Sequence, residues 1–108
     1  MSKVQNVSSE ELISIVSESN QPVFIDFYAD WCGPCKMVMP VIEQLADTYQ
    51  EQMKVVKVNV DLHKESASKY GVRSIPTFVV LKNNEVVMRH SGAAPKSFFD
   101  EKIKNILK

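Results

Sequence analysis

The chain has only two cysteines, Cys32 and Cys35, and they stand three positions apart. They sit in the string Trp31-Cys32-Gly33-Pro34-Cys35-Lys36, between an apolar run that ends at Ala29 and a stretch with helical periodicity. A helix N-terminus carries unpaired N–H groups and a partial positive charge. A thiol placed there ionises more readily, and the thiolate is the reactive form. Cys32, at the start of the helix, is expected to be the exposed, easily ionised nucleophile. Cys35, one turn inside, is expected to be more buried and more protonated. Two residues three apart in a regular helix have Cβ atoms roughly 5–6 Å apart, whereas a disulfide needs about 3.5–4.5 Å. With Cys32 at the cap rather than in the helix, the backbone can close that gap. The pair can then exchange with other disulfides: Cys32 attacks, a mixed disulfide forms, and Cys35 resolves it in a fast intramolecular step.

The competing reading of a C-x-x-C pair is half of a zinc site. Zinc wants four ligands, or three and a water. The remaining soft ligands, His63 and His90, are distant in sequence and lack ligand spacing, so each reads better as a surface or packing residue.

Asp26 interrupts the apolar run before the cysteines, in a position where Asp is depleted. Burial raises a carboxyl pKa by disfavouring the charged form, and such a group can serve as a general base near neutral pH. Asp26 is therefore a candidate acceptor for the Cys35 proton, with Lys57 as its partner from a neighbouring strand. The bland alternative has Asp26 bridging structure and Lys57 reaching out to solvent. Trp31, beside Cys32 in a loop, reads as an exposed docking residue rather than a core aromatic. Met37 and Met39 read as packing residues, and the charges of the last helix as a solvated face.

The elements that must hold these groups follow from periodicity. Ser8 with Glu11 is a capping-box signature for a helix over Ser9–Glu18. Lys3–Val7 is short and polar, at most an edge strand. Pro22–Ala29 suits a central strand buried on both faces. A helix follows the cysteines to about Tyr49, with a kink expected at Pro40. Met53–Val60 is a second buried strand, parallel to the first through a right-handed crossover. Lys64–Tyr70 is a short helix closed by Gly71. Thr77–Lys82 and Glu85–His90 form a hairpin across Asn83-Asn84, and Pro95–Leu107 is a closing amphipathic helix. The sum is α/β: a mixed central sheet of four to five strands flanked by about four helices.

At 108 residues and 44% hydrophobic composition, the chain fits one domain over residues 1–108 that folds without disulfide staples. A formal net charge of zero argues against nucleic acid or an anionic membrane as partner, and no stretch is apolar enough to span a bilayer. Met1–Glu10 is polar without a basic-then-apolar signal pattern. The expected location is cytoplasmic, where a close cysteine pair reads as catalytic rather than structural.

The Trp31–Lys36 string after a buried strand resembles the active-site motif of the thioredoxin family. Asp26, Phe27, Ala29, Pro40, Lys57, Asp61, Ile75-Pro76-Thr77 and Gly92 also fall at that family's positions, so the resemblance covers essentially the whole chain. It implies a thioredoxin fold and a general protein-disulfide reductase, with Cys32 attacking and Cys35 resolving. It also implies that Ile75 and Pro76 face the cysteines across a substrate groove, with Pro76 cis. Trp31, Gly33, Pro34, Val60, Ile75, Gly92 and Ala93 would form an apolar docking surface around Cys32. No cofactor would be bound, NADPH being used indirectly through a thioredoxin reductase. Disulfide clients of the kind of ribonucleotide reductase, peroxiredoxin and methionine sulfoxide reductase would be the other partners of a monomer. The alternative is an accessory subunit of the same fold whose role does not need its thiols. Three positions depart from the family's pattern: Tyr28 where Trp is common, Asn84 where a hairpin Gly is common, and Ser91 where an apolar residue is usual. They bear on substrate preference rather than on the redox chemistry.

Overall fold

The computed structural model describes residues 3–108. In chain order it contains β1 (Gln5–Asn6), α1 (Ser9–Glu18), β2 (Val23–Tyr28), α2 (Gly33–Thr48), β3 (Lys54–Asn59), α3 (Lys64–Lys69), β4 (Thr77–Lys82), β5 (Glu85–Ser91) and α4 (Lys96–Ile106). The five strands form one mixed sheet in the order β1-β3-β2-β4-β5. β2 lies at its centre, parallel to β3 and antiparallel to β4. The expected βαβ unit and terminal hairpin are both present, and the two-residue β1 completes the sheet on the β3 side.

Local signals explain the element ends. Ser8 Oγ accepts the Glu11 backbone N–H while the Glu11 carboxylate accepts that of Ser8, the reciprocal box that satisfies two orphan donors of α1. Asn83 and Asn84 turn the hairpin with φ of 53° and 66°, the left-handed pair that suits a two-residue connection and that Asn tolerates. Gly71 stops α3 with φ of 66°. The chain runs helically through Pro40 without a break. Pro40 and Lys36 are both exposed, so the turn in which a carbonyl loses its partner to the proline faces solvent.

Period-two alternation sends the strand side chains into two cores. Val23, Ile25 and Phe27 of β2 pack with Val56, Val58 and Val79 and with Leu12 of α1. On the other face Phe24 joins Phe78, Phe99, Val38, Ile42 and Ile103 beneath α2 and α4. Phe24, Phe78 and Phe99 meet edge-on or tilted at centroid separations of 5.0–5.9 Å, favourable geometry for aromatic rings. Alternation puts Asp26 on the Phe24 side, under α2. Its neighbour across the β2–β3 ladder is Lys57 and its neighbour across β2–β4 is Phe78. Tyr49, the C-cap of α2, donates its hydroxyl to Asp100 at 2.9 Å, and Lys96 donates to the same carboxylate at 2.9 Å. That cluster ties the end of α2 to α4 and so fixes the helix that carries the cysteines.

Candidate active site at the Cys32–Cys35 disulfide

Cys32 is the N-cap of α2, with extended backbone at φ −84° and ψ 109°. Its Sγ accepts the Cys35 N–H at 3.2 Å, using one of the donors a helix start leaves unpaired. Cys35 lies in the first turn. The two are joined in a disulfide with Cα atoms 5.2 Å apart, within the ordinary span of such bonds. The cap geometry thus closes the gap a regular helix would leave.

The expected contrast in burial is not found. Cys32 and Cys35 are each 3% exposed. In the disulfide both sulfurs belong to a small cluster with Ala29, against which Tyr28, Val60 and Ile75 pack. They differ instead in what they face. Cys32 lines a groove of about 430 Å³ with Trp31, Gly33, Pro34, Val60, Val72, Arg73, Ser74 and Ile75. Cys35 lines a second cavity of about 260 Å³ with Tyr28, Ala29, Asp30, Lys36, Met39 and Lys57. The bond between them separates two openings of different composition.

Asp26, the ladder neighbour of the cavity-lining Lys57, is fully buried and neither carboxylate oxygen has a hydrogen-bond partner within the described residues. Burial pushes its pKa up to about 7, against the opposing pull of Lys57. A carboxyl group so placed changes charge near neutrality. Lys57 is half-buried, and its Nζ lies 5.3 Å from the centre of the Tyr28 ring. The Tyr28 hydroxyl donates to Asn6 at 3.2 Å, an outlet for its polar tip.

On the Cys32 side, Trp31 is 70% exposed and its Nε1–H donates to Asp61 Oδ2 at 2.8 Å. The Asp61 N–H in turn donates to Asn59 Oδ1 at 2.9 Å, and Asn59 is buried. Of the residues expected at a docking surface, Trp31, Gly33, Pro34, Val60 and Ile75 share the groove with Cys32. Pro76, Gly92 and Ala93 do not line it. Pro76 is buried after a cis bond from Ile75, and its carbonyl accepts the Gly92 N–H at 2.8 Å. Gly92 has φ of 98°, which favours glycine. Ser91, the polar departure, bonds Thr77 through its hydroxyl at 2.9 Å. Sequence reasoning did not single out Val72, Arg73, Ser74 or Asn59. The first three precede Ile75-Pro76 directly, and that adjacency was the available signal. For Asn59 there was none.

His90 packs between Phe78 and Phe98, and among the described residues no group of three or more His, Cys, Asp or Glu is placed to hold a metal. No helix among the described residues is long and apolar enough to cross a membrane.

The family model for Thioredoxin matches residues 3–105. The chain is 43% identical to a thioredoxin of Haemophilus influenzae over 97 residues, covering 90% of this chain and 91% of that one. It is 41% identical to thioredoxin 1 of Nostoc sp. over 107 residues, 99% and 100% of the two chains. Thioredoxin 1 of Synechococcus elongatus is 51% identical over 82 residues, 76% of this chain and 77% of its own.

Proposed function

Because this chain belongs to the thioredoxin family and is a thiol–disulfide oxidoreductase of the disulfide-reductase kind, we propose that Cys32 is its attacking thiol and Cys35 its resolving thiol. The carrying observation is the cap: Cys32 Sγ receives the Cys35 N–H at the mouth of α2. The same interaction favours a thiolate on Cys32 once the disulfide is reduced. The Cys32 thiolate attacks one sulfur of a client disulfide. A Cys32–client bond forms, and the other client sulfur leaves with the electron pair of the broken bond and takes a proton. Cys35 then gives its proton to the Asp26 carboxylate and attacks Cys32 Sγ. The internal disulfide forms and the second client sulfur leaves as a thiolate. Two electrons have passed from the protein to the client.

Asp26 suits the acceptor role because its pKa of about 7 lies where a base can both receive and release a proton at neutral pH. Lys57, its ladder neighbour, steadies the carboxylate and lines the cavity by which the proton leaves. Trp31, Gly33, Pro34, Val60 and Ile75 receive the client around Cys32, and Pro76, Gly92 and Ala93 complete the docking surface.

The protein's general partners are a thioredoxin reductase and disulfide-containing clients. In our reading the reductase recharges the pair with electrons from NADPH. The clients include proteins such as ribonucleotide reductase, peroxiredoxin and methionine sulfoxide reductase. The chain works as a cytoplasmic monomer and as one domain over residues 1–108, with no bound cofactor. The test is insulin disulfide reduction with dithiothreitol, repeated with NADPH and a reductase. Turnover with both is expected, and failure with both would defeat the proposal.

A further inference from the structure

The groove at Cys32 is lined by apolar groups, one hydroxyl (Ser74) and one permanently charged side chain, Arg73. Arg73 is exposed, and its guanidinium has no ion-pair or hydrogen-bond partner among the described residues. The chain's other arginine differs: Arg89 donates to the Tyr70 carbonyl. Lys36, a nearby cation, lines the cavity of Cys35 and not this groove.

The backbone around Arg73 is pinned on both sides. The Val72 N–H donates to the Ala67 carbonyl at 2.9 Å. The buried Thr77 donates its hydroxyl to the Ser74 carbonyl at 2.6 Å. The backbone that carries the side chain is therefore fixed on both sides, while its charged end has no partner among the described residues. A guanidinium presents a rigid fork of donors that matches a carboxylate. The remainder of the groove offers no anionic group to compete for it. Asp61 is outside the lining, and one of its carboxylate oxygens accepts the Trp31 indole N–H.

Resting on the docking role proposed above for this groove, we propose that Arg73 is a specificity-determining residue that selects client disulfides with a carboxylate beside the attacked cysteine. A client lying in the groove brings its flanking residue to one free cation on an otherwise uncharged wall. Charge complementarity at an interface sets encounter rate and partner choice more than total affinity. The preference therefore belongs in the second-order rate constant and weakens as salt screens it.

The test uses a set of peptides with one disulfide each, carrying Glu, Gln or Lys next to the cysteine, with both flanking positions sampled. Rate constants are measured for the fully reduced protein, for Arg73→Gln and Arg73→Glu, and for Lys104→Gln, which removes a positive charge on α4 away from the groove. At one flanking position the wild type is expected to favour Glu over Lys by about fivefold at low salt. Arg73→Gln should bring the ratio to about one, Arg73→Glu should invert it, and Lys104→Gln should leave it in place. A wild-type ratio under twofold at both positions would overturn the proposal. So would a ratio that survives in Arg73→Gln, or one that Lys104→Gln lowers as much. Reduction of all the peptides without preference defeats this inference alone, whereas reduction of none would defeat the functional reading beneath it.

Discussion

The two sides of the Cys32–Cys35 bond are built differently. The Cys32 side is an open apolar groove with an exposed indole at its edge and one unpaired cation. The Cys35 side is a smaller cavity bounded by charge, with Lys57, Lys36 and Asp30 on its walls. Next to Lys57 in the sheet is Asp26, a buried carboxyl group without hydrogen-bond partners among the described residues. Apolar surface binds many client sequences with little demand for geometry, which suits a reductase that must accept varied disulfides. A buried carboxyl is costly and is poised to exchange a proton. The molecule therefore separates recognition from proton handling by one turn of helix. Each substitution should injure one side and spare the other.

The thiols lie between the two sides and should show the largest effects. Cys32→Ser should abolish insulin reduction, a loss on the order of 10³-fold or more. Cys35→Ser should still attack but stop at the mixed disulfide, visible by intact mass as a client adduct. Ordinary turnover by Cys35→Ser would reverse the assigned roles.

Asp26→Asn tests the charged side. The pKa of the native carboxyl is about 7, above the ordinary value near 4 that it has in the unfolded chain. The folded state thus holds the proton over that interval while the unfolded state has lost it. Wild-type stability should fall as pH rises from about 4 to about 7 and then level off. The oxidised Asp26→Asn protein lacks that buried titrating group. Its advantage in unfolding free energy, measured by denaturant titration, should grow across the same window to a few kcal/mol. A gain independent of pH would mean that the substitution acts through packing alone. In the reduced enzyme, release of client from the mixed disulfide should slow about tenfold or more above pH 7 and little below pH 6, where Asp26 is protonated in the wild type too.

This division also marks what could be read from the chain. Local chemistry wrote most elements plainly: the Ser8–Glu11 box, the two asparagines of the hairpin, the β-branched run around Asp26. Cys32 and Cys35 were legible as a redox pair because their spacing and their place before a helix are local facts. The burial of Cys32 was not, because Val60 and Ile75, which help cover it, come from segments remote in sequence. The same limit hid the places of Arg73 and Asn59. Strand order cannot be read from periodicity, and the groove exists only because the loops before α2 and before β4 meet at the end of β3. The expected rim at Gly92 and Ala93 depends on the same long-range placement. Gly92 is joined to Pro76 by a backbone hydrogen bond, a link between residues remote in sequence.

Trp31→Ala tests the recognition side. With the indole 70% exposed, stability should change by less than about 1 kcal/mol. The rate constant for a protein client should drop about tenfold, as expected for an aromatic anchor. The pH dependence of client release should keep its wild-type midpoint. A shift of that midpoint would show that the two sides are not separate.

The smallest effect is expected at Asp61, which touches the groove only through Trp31. Its carboxylate accepts the indole N–H at 2.8 Å, and its own N–H is held by the buried Asn59. An exposed hydrogen bond to a charged acceptor stabilises by about 1–2 kcal/mol at most, and only part of that reaches the docked complex. Asp61→Ala should therefore free the indole and raise KM for a protein client about threefold, with kcat nearly unchanged. Asp61→Asn retains an oxygen acceptor in the same place and should restore KM to within twofold of wild type. Trp31 is the only tryptophan in the chain, so fluorescence reports the same event directly. Its emission anisotropy should fall in Asp61→Ala and recover in Asp61→Asn. A raised KM without any change in the indole signal would mean that Asp61 meets the client itself and is not a support for its neighbour.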